Sequence, residues 1–103
     1  MPQAKSQSVY YVVTVALKYP SFADAQAEAA DKIAAHVKRS KALREQGSLL
    51  MAGAFMDKTD TPLSTMAVLT SREAAEDYIK EDPFYLSGKM ETWTIREWAN
   101  MFA

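Results

Sequence analysis

The chain of 103 residues contains no cysteine. That excludes disulfide frameworks, thiolate zinc sites, iron–sulfur clusters and cysteine nucleophiles together. It has one histidine, so a multi-histidine metal centre cannot be assembled within one copy. Three glycines and four prolines are few, which points to regular elements joined by short loops. A basic excess is missing as well: 12 Lys and Arg stand against 13 Asp and Glu, a formal net charge of −1. Proteins held to nucleic acid by counterion release carry such an excess, so nucleic acid is not an expected partner. The apolar stretch Val9–Leu17 is far shorter than the ~20 residues a membrane span needs, so no membrane partner is expected. It follows a polar N-terminus without a small-residue cleavage site behind it, which argues against a signal peptide. A soluble cytoplasmic protein is the expectation. No Gly-rich phosphate loop, Gly-X-Ser-X-Gly elbow or His-Glu-X-X-His stretch occurs, which removes nucleotide, hydrolase and zincin readings.

What is present is ordinary globular usage, 49% hydrophobic and 24% charged, in a length that suits one domain over residues 1–103 with its core at about 9–98. Val9–Leu17 is β-branched and aromatic, hence a strand. From Phe22 to Gln46 the chain turns to Ala, Glu, Gln, Lys and Arg, with Ala29, Ile33, Val37, Ser40 and Leu43 at three- and four-residue steps. This is a helix, capped by Gly47 and carrying Lys38, Arg39, Lys41 and Arg44 toward its C-terminal dipole. Those cations read as a solvated face. Ser48–Met56 and Leu63–Thr70 are two further strands, paired as a hairpin through a turn at Asp57–Pro62. Ser71 caps a second helix that runs to about Lys80. Asp82-Pro83 ends it, Pro83–Gly88 forms an extra turn, and Met90–Trp98 is the fourth strand.

The order β-α-β-β-α-β predicts an α+β, ferredoxin-like fold with two helices on one face of an antiparallel sheet. Two helices cover one face only, and the other should alternate to polar residues. Strands one to three do not alternate in this way. The surplus apolar surface predicts a homodimer formed through the sheet face.

Two residues stand out for chemistry. His36 borders the apolar stripe of the first helix and is suited to proton transfer near neutral pH, or is a core-edge histidine held by one hydrogen bond. Asp82 either caps the Pro83–Gly88 turn or orients an imidazole. At 46 residues apart, the two meet only through tertiary structure. Phe84, Tyr85, Trp93, Trp98 and Phe102 crowd the last twenty residues, as core and interface material or as the wall of a pocket for a flat ligand. Tyr85, Trp98 and Arg96 are the substrate-binding candidates; Arg96 would anchor an anion or pair with Glu91 or Glu97. No metal ligands and no cofactor are expected.

Several segments in order, Ala35-His36-Val37, Gln46-Gly47, Leu50-Met51-Ala52-Gly53-Ala54, Glu81-Asp82-Pro83-Phe84 to Gly88, and Thr94-Ile95-Arg96-Glu97-Trp98, resemble the YciI-like (YCII-related) family. The chain departs from its pattern at Ala54 and Glu97, where prolines are common. The resemblance implies a dimeric α+β barrel and a proposed catalytic His–Asp pair, mapping onto His36 and Asp82. It also implies a range of activities that includes dehydrochlorination of a chlorinated hydroxyquinol. On this reading the protein is a small cofactor-independent enzyme that uses the pair for elimination or isomerisation on a cyclic or aromatic substrate. The alternatives are a non-catalytic small-molecule-binding or regulatory module with the same cleft, and a cofactor-free monooxygenase.

Overall fold

The computed structural model describes residues 7–57 and 62–103. Its elements are β1 (Val9–Leu17), α1 (Phe22–Glu45), β2 (Leu49–Ala54), β3 (Ser64–Leu69), α2 (Arg72–Lys80), α3 (Pro83–Leu86) and β4 (Met90–Ala99). The order is that expected, with boundaries moved by one or two residues. Lys58 to Thr61, most of the expected hairpin turn, lie outside the described residues. The four strands form one sheet in the order β2-β3-β1-β4, antiparallel throughout. This is the ferredoxin-like α+β fold.

Strand alternation sorts the side chains onto two faces. Val13 and Val15 of β1 stand opposite Ala67 and Thr65 of β3, under the helices. Val13, Val15 and Ala67 form the buried core with Leu17, Leu69, Ala75, Tyr78 and Ile79. The other parity places Tyr10, Val12 and Ala16 of β1 beside Val68 and Met66 of β3, and Trp98 and Arg96 of β4. Among the described residues, no helix lies over this second face. Val68 is only 5% exposed yet sits outside the main core cluster, because its neighbours on that face are themselves apolar.

Each helix begins on a side-chain cap. Ser21 accepts from the Asp24 amide and Ser71 from the Ala74 amide at 3.0 Å, satisfying donors that a helix N-terminus leaves open. α1 ends at Gly47, whose φ of +84° is the left-handed conformation that glycine adopts without Cβ strain. One feature departs from the expected uninterrupted helix. Ala29 has φ −143° and ψ 42°, which breaks α1 into a short leading segment and a longer one. Ala29 is buried, and neither proline nor glycine lies there to mark the break in the sequence.

α2 packs over β1, β3 and β4, whereas α1 packs chiefly against β2 and α3. α1 therefore leans on one side of the sheet instead of its centre. The space left between α1 and the sheet is a cavity.

Candidate active site

The cavity has a volume of about 520 Å³, within the usual range for small-molecule sites. Its floor is apolar, from Val15, Leu17, Leu49, Ile79 and Met90. Polar side chains reach it from four elements, among them His36 and Ser40 from α1, Thr65 from β3, Tyr78 from α2, and Asp82 from the start of α3.

His36 Nδ1 lies 2.5 Å from Asp82 Oδ2. The carboxylate is an acceptor, so Nδ1–H donates and Nε2 is left as the ring atom available for proton exchange. Asp82 is 3% exposed, whereas the His36 side chain is 28% exposed. The carboxylate is thus enclosed and the imidazole is accessible. Oδ1 of the same carboxylate accepts from the Phe84 amide at 2.8 Å, and Pro83 occupies the first turn of α3. Cap and imidazole partner, which the sequence offers as competing roles for Asp82, are carried by its two oxygens together. A backbone bond on one oxygen fixes the carboxylate's orientation and so aims the other at His36.

Aromatic rings enclose the pair. Tyr78 and Phe84 both lie 6.2 Å from the His36 ring, centroid to centroid, and Tyr19 meets Phe84 edge-on at 6.1 Å. Burial pushes the Tyr78 phenol above its ordinary 10.0, the Asp82 carboxylate adds to this, and Ser40 and Arg39 oppose it. The phenol therefore stays protonated at neutral pH and can donate a hydrogen bond into the cavity. Tyr78 is a site residue that sequence reasoning missed; the available signal was a hydroxyl on the inward face of α2.

Lys38, Lys41 and Arg44 of the basic run on α1 are exposed, as expected of a solvated face, whereas Arg39 is half-buried. Arg39 donates to the carbonyls of Tyr78 at 2.9 Å and Asp77 at 2.7 Å, closing the C-terminal end of α2. Arg44 donates to the Leu50 carbonyl, and Lys41 and Arg44 both line the cavity. Arg96, Tyr85 and Trp98 are not brought to it. Arg96 and Trp98 pair in register with Val12 and Tyr10 and so share the helix-free face, where Trp98 is 56% exposed. Tyr85 is 39% exposed, because α3 turns Phe84 inward and its neighbour outward. Among the described residues, no group of three or more His, Cys, Asp or Glu side chains is placed to hold a metal ion. No helix is long and apolar enough to cross a membrane among them.

The model of the YCII-related domain matches residues 11–99. The chain belongs to the YCII-related family. Among solved structures it is similar to the 5-chloro-2-hydroxyhydroquinone dehydrochlorinase of Burkholderia phenoliruptrix AC1100, in complex with 2,5-dihydroxybenzoquinone. The TM-score is 0.64 at 12% identity, over 88% of this chain and 94% of that one. It is also similar to a protein of Mycobacterium tuberculosis, with TM-score 0.51 at 13% identity, over 92% and 96% of the two chains. Comparison with curated proteins finds no match. At these identities the likenesses bear on the fold, which they share with this YCII-related domain.

Proposed function

We propose that this YCII-related protein is a small cofactor-independent enzyme in which His36 moves a proton on a cyclic or aromatic substrate, by elimination or isomerisation. The single observation that carries the reading is the hydrogen bond from His36 Nδ1 to Asp82 Oδ2 at the wall of an apolar cavity. An enclosed carboxylate fixes the tautomer, stabilises the imidazolium that forms when Nε2 accepts a proton, and frees Nε2 to return it. The Tyr78 phenol and Ser40 hydroxyl line the same cavity and supply hydrogen bonds to an oxygen on which charge develops. The dehydrochlorinase, bound to a dihydroxybenzoquinone, supports a flat oxygenated ring as the substrate type.

The test begins with mass-spectrometric identification of a ligand that co-purifies with the protein, followed by a turnover assay on it. His36→Asn should lower kcat by about 10²–10⁴-fold, the usual contribution of a positioned acid–base group, with KM changed far less. Undiminished turnover by that variant overturns the reading. Ligand binding without any turnover by the wild type makes the domain a binding module instead.

A second copy belongs to the same proposal. The helix-free face presents Tyr10, Val12, Met66 and Trp98 around the buried Val68, an apolar patch of the kind that marks an association site. A homodimer through this face, with two sheets stacked about 10 Å apart, covers it and gives Arg96 and Trp98 an interfacial role. A cytoplasmic place of action goes with the reading, on the cysteine-free composition.

A further inference from the structure

The cavity carries more positive charge than its chemistry requires. Among the described residues, Asp82 is the one carboxylate that lines it, and both of its oxygens are engaged, by His36 and by the Phe84 amide. Lys41 and Arg44 line it as well, and among the described residues neither is in an ion pair. A dipole-completing role accounts for a basic residue near the end of α1, but not for two that border one apolar cavity.

Arg44 is held in place by a defect in the sheet. The pairing of β2 with β3 shifts between Leu49 and Met51, leaving Leu50 out of register. A bulged residue withdraws its backbone groups from the ladder, and the Leu50 carbonyl accepts from the Arg44 guanidinium instead. One nitrogen is thereby committed, and the remaining donors of the guanidinium fork are free for an anion. Lys41 adds a mobile ammonium on the same helix.

Spacing along α1 sets a ruler. Lys41 lies five positions and Arg44 eight positions beyond His36, about 7.5 and 12 Å along the helix axis at ~1.5 Å per residue. The apolar floor formed by Val15, Leu49 and Met90 lies alongside. We infer that the cavity takes a small cyclic or aromatic acid, its ring against the His36–Asp82 pair and its carboxylate held by Lys41 and Arg44. This rests on the cavity being the substrate site, but not on His36 moving a proton.

The test measures binding to the full chain at pH 7.5, by calorimetry or ligand-detected NMR. The probes are benzoate, phenylacetate and 3-phenylpropionate, each beside its neutral amide. At least one acid should bind about tenfold or more tightly than its amide, a difference typical of a recovered charge-assisted contact. In the Lys41→Gln/Arg44→Gln variant the preference should fall to about twofold or less, whereas His36→Asn should retain it. Among the described residues Lys41 makes no side-chain hydrogen bond, so Lys41→Gln alone should weaken the preference even where the double variant does not fold. Equal binding of acid and amide throughout, no binding by any acid, or a preference that survives both variants overturns the inference. A protein that prefers acids but turns nothing over fails the proton-transfer reading and keeps this one. Turnover of neutral rings without acid preference does the reverse.

Discussion

Replacing Asp82 by alanine and, separately, by asparagine divides the two tasks of its carboxylate. Alanine removes both. Loss of an N-cap costs about 0.5–2 kcal/mol, and loss of a hydrogen bond to a charged acceptor costs about 1.5–3 kcal/mol. The His36 ring is partly exposed and recovers some of the second term from water, so a total of about 2–4 kcal/mol is expected. In a domain of this size each kcal/mol moves Tm by about 4–8 °C, and Asp82→Ala should melt at least ~8 °C below the wild type. Asparagine caps as well as aspartate, and its amide oxygen can still accept from the Phe84 amide, so Asp82→Asn should lose about 1 kcal/mol or less on that account. Its amide nitrogen, however, faces His36 Nδ1 as a donor. The ring then places its proton on Nε2 and accepts at Nδ1, the opposite of the wild-type arrangement. Thermal melts measure the first effect and ¹⁵N-edited NMR of the imidazole the second. The chain has one histidine, so the ring signals need no assignment. An Asp82→Ala protein that melts within ~2 °C of the wild type, or an Asp82→Asn protein that keeps the proton on Nδ1, refutes the shared-carboxylate argument.

Two further predictions concern the phenol and the sheet. Because the folded Tyr78 phenol titrates above 10.0, the unfolded chain releases that proton first as pH rises. Stability should therefore fall with increasing pH from 10.0 until the folded value is passed, and denaturant titrations of Tyr78→Phe across that range should show a shallower decline. Val12→Glu places a charge at the centre of the helix-free face. Sedimentation should show a wild-type dimer and a folded variant monomer, and a variant that sediments as a dimer places the contact elsewhere.

The fold was readable because each element announced its period or its punctuation. Val9–Leu17 has strand composition, the Ala-rich stretch has helical spacing, and Ser71 and Pro83 mark edges that the structure keeps. The break at Ala29 was not readable, since it follows from how a buried alanine is packed and not from a residue that disfavours helix. His36 and Asp82 were visible as residue types, but 46 positions apart their meeting depends on α3 docking against α1. Their pairing came instead from the resemblance to the YCII-related family. Tyr78 looked like any inward aromatic, because a cavity wall and a core have the same helical pattern. Arg39 and Arg44 carry the composition of a wet surface, which for Arg44 it is; their bonds to the carbonyls of Tyr78, Asp77 and Leu50 depend on tertiary structure. Arg96 and Trp98 went to the far face through strand register, which fixes parity only once the partner strand is known.

The long segment of α1 beyond Ala29 also limits how the gene can vary. His36, Ser40, Lys41 and Arg44 all reach the same cavity from one rigid rod. Inserting or deleting a single residue among them would turn everything downstream by about 100°, carrying the cations off the cavity while leaving the imidazole in place. Substitutions can retune this stretch one side chain at a time. Changes in length are better tolerated in the surface connections between elements.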